Sequence, residues 1–163
     1  MTENEKKLWA IGLGAVLVVA LLPVRSGFAA GGHCDLSTLK GQYLIADSGW
    51  VFPPAFGLPA GSPPAIAAAA GYSVYNGDGT GEDHITFTLN GIVQPIPPVQ
   101  PFVYALNRDC TGARTVNPSA PFPGPHFKMY VASDGSGLTE IATDPGFSVT
   151  SFNKRVGHSE NSQ

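Results

Sequence analysis

Charge is scarce in this chain: Lys, Arg, Asp and Glu together make up 13% of its 163 residues, and no basic run occurs anywhere. With Lys+Arg of 9 against Asp+Glu of 12, it lacks the electrostatic footprint that binds phosphate backbones, which excludes nucleic-acid partners. Long apolar runs are missing as well. The longest, Ile11 to Leu22, covers about 12 residues before Pro23, short of the ~20 that cross a bilayer as a helix. Cysteine is limited to Cys34 and Cys110, too few for a thiolate metal site. Glycine and proline are abundant instead, 20 and 15 residues, which means many turns and few long helices. The glycines lack the three-residue period of collagen, and 43% hydrophobic residues suffice for one globular domain.

Residues 1–29 read as a secretory signal peptide, with Lys6 and Lys7 ahead of the apolar core and small residues at Gly27 and Ala29. The domain is expected over residues 30–155, and the polar segment 156–163 is expected to be a disordered tail. Such a chain would be periplasmic or secreted in a bacterium, with no stable membrane anchor after cleavage. Loss of the signal would leave six basic and ten acidic residues. Two cysteines in an exported chain read as one disulfide, Cys34 to Cys110. Closing so long a loop is worth roughly 4 to 4.5 kcal/mol in the chain-entropy picture. A lipoprotein reading on Cys34 is disfavoured, since His33 stands where a small residue is needed.

From Gly41 onward apolar residues alternate in twos, as in Ile85, Phe87 and Leu89, or Phe127, Met129 and Val131. That period predicts half-buried strands. Eight are expected, over 41–48, 66–75, 80–89, 102–107, 113–117, 126–132, 138–143 and 147–154. Ala65 to Ala70 is ambiguous, because alanine is the best helix former.

Connections of two kinds alternate along the chain. Compact Gly/Asp turns lie at Asn76-Gly77-Asp78-Gly79, Arg108 to Gly112 and Ser133 to Gly137. Long Pro-rich loops fall at 49–65, 90–101 and 118–125. In an up-and-down arrangement successive connections switch ends, so the long loops gather at one end and the compact turns at the other. The expected fold is all-β, an eight-stranded antiparallel up-and-down barrel with one disulfide. A β-sandwich would use the same pattern and remains the alternative.

Cys34-Asp35-Leu36, Leu39-Lys40-Gly41-Gln42-Tyr43, Asn76-Gly77-Asp78-Gly79, Asp109-Cys110-Thr111-Gly112 and Asp144-Pro145-Gly146 carry a resemblance. Over Cys34 to Arg155 the chain resembles small exported bacterial proteins of uncharacterised function with an allene oxide cyclase barrel-like domain of the calycin-like group. The resemblance implies a closed antiparallel barrel with a disulfide and an apolar cavity. Its motifs are structural, and no cyclase catalytic residue maps onto this chain, so cyclase activity does not carry over.

Chemistry-bearing patterns are sparse. Asn76, Asp78 and Gly79 match part of an EF-hand loop, but Val74 and Ile85 occupy its first and twelfth positions and cannot ligate calcium; a hairpin turn is the reading. His33, His84, His126 and His158 share no ligand spacing, so no metal and no cofactor is expected. No serine lies in a nucleophile-elbow context. Two residues are catalytic candidates. His126 starts a strand at the long-loop end, where an imidazole could transfer a proton, though a partly exposed strand-end histidine is the blander reading. Asp47 shares the parity of Tyr43 and Ile45, so burial near the mouth could make it a general base. The sequence favours ending the strand before Asp47 and leaving it as a turn residue. Glu140, of opposite parity to Ile141, is expected to face water, as is His84.

Aromatic residues give the remaining signal. Trp50, Phe52, Phe56 and Phe122 fall in the long loops, and Tyr72, Phe102 and Tyr104, with Tyr43 and Phe87, on the faces assigned inward. Such residues either fill a barrel or surround a small ligand. The leading expectation is a monomer binding a small apolar or amphipathic ligand at the Pro-rich end, with no nucleic acid involved. The alternatives are a barrel cyclase or isomerase using Asp47 or His126, and an interaction module docking through its Pro-rich rim.

Overall fold

The computed structural model describes residues 33–117 and 124–156; the proposed signal peptide, the tail from residue 157 and Phe122 lie outside the described residues. Nine strands are present: β1 (Gly41–Val51), β2 (Ala65–Tyr75), β3 (Thr80–Leu89), β4 (Ile92–Val93), β5 (Gln100–Leu106), β6 (Thr111–Val116), β7 (His126–Val131), β8 (Gly137–Ala142) and β9 (Phe147–Arg155). Eight of them close a ring. Each pairs antiparallel with the next, skipping β4, and β9 returns to β1 with Asn153 opposite Ile45. This is the up-and-down barrel. The sandwich alternative fails because the ring has no break that would divide it into two sheets.

The short β4 is a correction to the expected Pro-rich loop. Asn90 and Gly91 take positive φ of 49° and 78°, a two-residue hairpin turn that lays Ile92 and Val93 back on Leu89 and Thr88. The Asn-Gly pair was the available signal. The alanine segment is also settled: Ala65 to Ala70 is strand, paired with β1 on one side and, from Ala67, with β3 on the other. Two flanking ladders override alanine's helix preference.

Side-chain size along β2 divides the barrel interior in two. Running down from the long-loop end, β2 points Ala65, Ala67, Ala69, Gly71, Ser73 and Tyr75 inward. The upper half therefore receives only small groups from this strand. Gly71 allows β3 to approach so closely that a Cβ would strike the His84 carbonyl. The lower half is filled by Tyr43, Tyr75, Phe102, Tyr104 and Met129, all buried, with the rings of Tyr75 and Phe102 4.8 Å apart.

A single 3-10 turn, Leu36–Leu39, plugs the lower end. Asp35 caps it by accepting from the Ser37 and Thr38 amides, while Thr38 Oγ1 accepts from the Asp35 amide. Leu39 is fully buried against the aromatic layer. The Cys34–Cys110 disulfide ties the plug to the turn between β5 and β6, as expected from the cysteine count. Tyr104 Oη donates to the Leu36 carbonyl at 2.9 Å, and Arg155 Nη2 donates to the Thr38 and Lys40 carbonyls at 2.7 and 2.9 Å. Among the described residues no helix is long and apolar enough to cross a membrane.

Candidate functional site

Polar side chains meet inside the barrel between the aromatic lower half and the small-residue upper half. Arg114 on β6 is their centre, with its side chain 1% exposed. Its Nη1 donates to both oxygens of Asp83 on β3, at 2.9 and 3.0 Å. Its Nε lies 3.0 Å from Glu140 Oε1 on β8, an ion pair whose angle falls outside hydrogen-bond geometry. The guanidinium is also held between two rings, 4.9 Å from the Phe102 centroid and 5.0 Å from that of Phe127. Ser73 Oγ donates to Asp83, and Asn153 Nδ2 donates to Glu140 Oε2 and Ser151 Oγ. A charge this deep is tolerated only when so paired.

Burial and the surplus of carboxyl groups set the protonation states. Desolvation raises the Glu140 pKa, Arg114 opposes it, and Asp83 and Asp47 add to it, so Glu140 titrates at about 7. Desolvation also raises Asp47, against a hydrogen bond from Ser151 and the charge of Arg114. For Arg114 desolvation acts downward, but the Asp83 and Glu140 carboxylates outweigh it and hold the proton more firmly than usual. Burial keeps the Tyr75 hydroxyl protonated well beyond the usual range.

Above this network lies a cavity of about 80 Å³. Its floor is Asp47, Asp83, Arg114 and Gln100; its wall is apolar, with Val51, Ala67, Phe87, Val116, Phe147 and Val149 among the lining residues. Phe56, Ile96 and Pro125 reach over it from the three long loops. Phe56 sits at a φ of 55°, in a region that non-glycine residues rarely adopt, with its ring 5.1 Å from that of Phe87 and 6.4 Å from that of Phe147. The volume is well below the ~300 Å³ and more of drug-sized sites. The described interior therefore admits a small molecule, or one end of a longer one.

Asp47 is the acid that the sequence placed either inward or in a loop. Strand β1 continues to Val51, with Asp47 opposite Ala69 on one side and Ser151 on the other, so it faces the interior and lines the cavity. Its Oδ1 is buried and accepts no hydrogen bond from any described residue. Glu140 requires the opposite correction. It is fully buried, because Leu138 and Ala142 set the inward parity of β8 and leave Ile141 44% exposed. Arg114 supplies the charge that keeps it there.

The expected ligand-binding aromatics separate. Phe56 lines the cavity. Phe102 and Tyr104 are buried below it, in the plugged half. Trp50 lies on β1 and not in a loop; its parity is outward, and it is 47% exposed. Phe52 is likewise exposed beyond the end of β1. Tyr72 faces outward, correcting its assigned face, since Ser73 and Tyr75 hold the inward positions; it stacks on His84, centroids 4.5 Å apart. Phe122 is outside the described residues. His126 stands at the rim as expected but points away from the cavity, with Nδ1 2.7 Å from Asp144 Oδ1.

Arg114, Asp83 and Glu140 were missed as site residues. Parity held a signal for two of them: Asp83 shares the face of Ile85 and Phe87, and Arg114 that of Val116. Among the described residues no three His, Cys, Asp or Glu side chains converge to hold a metal ion. No family model, curated protein or solved structure matches the chain.

Proposed function

We propose that this protein is an exported carrier or receptor that takes a small amphipathic molecule into the upper half of its barrel. The observation that carries this reading is the cavity, an apolar wall standing on a floor of Asp47, Asp83 and Arg114 beneath Phe56, Ile96 and Pro125. Apolar surface with a few fixed polar groups is the usual composition of a small-molecule site. The disulfide fits an oxidising compartment, in keeping with the signal-like residues 1–29 and with the calycin-like resemblance.

Filling the cavity tests it. Ala67 lines the wall from the small-residue face of β2, so Ala67→Leu puts a larger side chain into the space a ligand would use. The wild-type chain is expected to take up the neutral fluorophore N-phenyl-1-naphthylamine with a blue shift, and Ala67→Leu to take up at most a tenth as much while keeping its near-ultraviolet circular dichroism. Equal uptake by the two proteins rejects the cavity as the site.

One observation favours a second reading. Asp47, with an unpartnered oxygen and a raised pKa at the end of an apolar cavity, is disposed as a general base for an isomerase that moves a proton on a bound substrate. Turnover lost in Asp47→Asn and retained in His126→Ala would favour that reading over simple binding.

A further inference from the structure

The binding reading leaves open which end of an amphipathic molecule goes in first. The floor of the cavity answers it through its balance of donors and acceptors. A carboxylate oxygen can only accept hydrogen bonds, and Asp47 Oδ1 is buried without a donor. The groups facing the floor from the surrounding strands do not correct this. Strand β3 contributes Asp83, β8 contributes Glu140, and β6 contributes Arg114, the one cation of the network. Strand β2 offers the Ser73 and Tyr75 hydroxyls, β5 offers Gln100, and β9 offers Ser151 and Asn153; Ser73 is committed to Asp83, Asn153 to Glu140 and Ser151, and Ser151 to Asp47, while Tyr75 Oη and Arg114 Nε stay without a hydrogen bond and do not reach Asp47 Oδ1. Three carboxyl groups thus share one guanidinium, whose charge Asp83 and Glu140 already meet. The floor has negative charge to spare, and in Asp47 Oδ1 an acceptor that none of these donors reaches.

Each kind of inserted end meets this floor differently. A carboxylate would bring a further negative charge beside Asp47 and Asp83, out of water, with Arg114 already engaged. A hydrocarbon end would leave Asp47 Oδ1 unpaired. A hydroxyl would satisfy it with one hydrogen bond from a neutral donor. An ammonium would satisfy it with a bond in which both partners are charged and also offset the surplus charge. The space admits only a short body: about 80 Å³ holds about five to eight water-sized positions. The remainder of a longer molecule would lie against Phe56, Ile96 and Pro125 at the mouth.

We infer that the ligand class of this barrel is a small aliphatic or arylalkyl amine, inserted ammonium first, with Asp47 Oδ1 as the acceptor and the hydrocarbon against the Val51, Phe87 and Phe147 wall. This rests on the cavity being the binding site. Arg114 acts on the ligand only through the carboxylates, as a fixed counter-charge that keeps Asp83 and Glu140 from competing for the ammonium.

Three probes of equal length test it on the full, disulfide-bonded chain by isothermal titration calorimetry at pH 7.5: hexylammonium, 1-hexanol and hexanoate. Hexylammonium is expected to bind at least tenfold more tightly than hexanoate, with hexanol between them. Asp47→Asn, which keeps the shape and removes the charge, is expected to bring hexylammonium to within about threefold of hexanol while the near-ultraviolet circular dichroism stays that of the wild type. Hexanoate binding as tightly as hexylammonium, or an Asp47→Asn variant with unchanged amine preference, overturns the inference and leaves the cavity reading standing. No heat from any probe, together with no fluorophore uptake, overturns both.

Discussion

Arg114 and Asp83 are joined by two hydrogen bonds from one nitrogen, at 2.9 and 3.0 Å, although their strands are not neighbours: β5 lies between β3 and β6. The pair spans the barrel interior and holds together two walls that share no backbone ladder. Strand closure and the charge network therefore reinforce one another.

Breaking that pair from one side is expected to be costly. Arg114→Ala leaves Asp83 and Glu140 buried with no cation, which in comparable networks costs about 3 to 5 kcal/mol. Urea denaturation at pH 7.5 measures it. A loss under about 1 kcal/mol would mean that water reaches the network and that the pair contributes little.

Stability is expected to fall as pH rises from 5 to 8. Glu140 is raised in the folded state to about 7 from an ordinary 4.5, so between these values the folded chain holds a proton that the unfolded chain has lost. Stability then decreases with pH across that interval. A shift of this size corresponds to about 3 kcal/mol, and the raised Asp47 acts in the same direction. Glu140→Gln should flatten the profile between pH 5 and 8, as read from urea midpoints. An unchanged slope would assign the pH dependence to other groups.

Reducing the disulfide should loosen the plugged end before the mouth. Cys34→Ser with Cys110→Ser removes a cross-link between residues 76 apart, worth about 4 kcal/mol on chain entropy. Amide exchange in Leu36–Leu39 should rise at least tenfold, with that in β1 near Val51 changing less. Uniform acceleration along the chain would show that the bridge stabilises only the whole fold.

Aromatic truncations at the mouth should divide by which way each ring points. Phe56→Ala removes a group over the cavity and should weaken fluorophore uptake about tenfold, whereas Trp50→Ala changes an outward ring and should leave uptake unchanged. The reverse ranking would relocate the site to the outer face.

The period-two pattern, the count of strands in the ring and the gathering of long loops at one end were legible in the sequence, because they depend on local alternation and turn chemistry. Side-chain direction was legible only where two or more apolar residues voted together. On β8 the large Ile141 suggests an apolar face opposite to Glu140, but Leu138 and Ala142 share the parity of Glu140 and take it inward. Asp47 was uncertain because Ser48 and Gly49 look like a strand end, and only the β2 and β9 ladders carry β1 on to Val51. Arg114 was invisible for a different reason. A lone arginine reads as surface until its partners are known, and Asp83 and Glu140 lie 31 and 26 residues away in the chain.

The plug at the foot of the barrel limits how a ligand of the proposed kind could enter and leave. With Leu39, Tyr43, Tyr75 and Tyr104 packed across one end, the described residues leave the cavity open toward Phe56, Ile96 and Pro125, so a molecule that entered there would back out the same way. Under the proposed function loading and unloading would share one doorway, so a loop change that raises the barrier without touching the bound molecule would slow arrival and departure by the same factor and leave occupancy at equilibrium untouched.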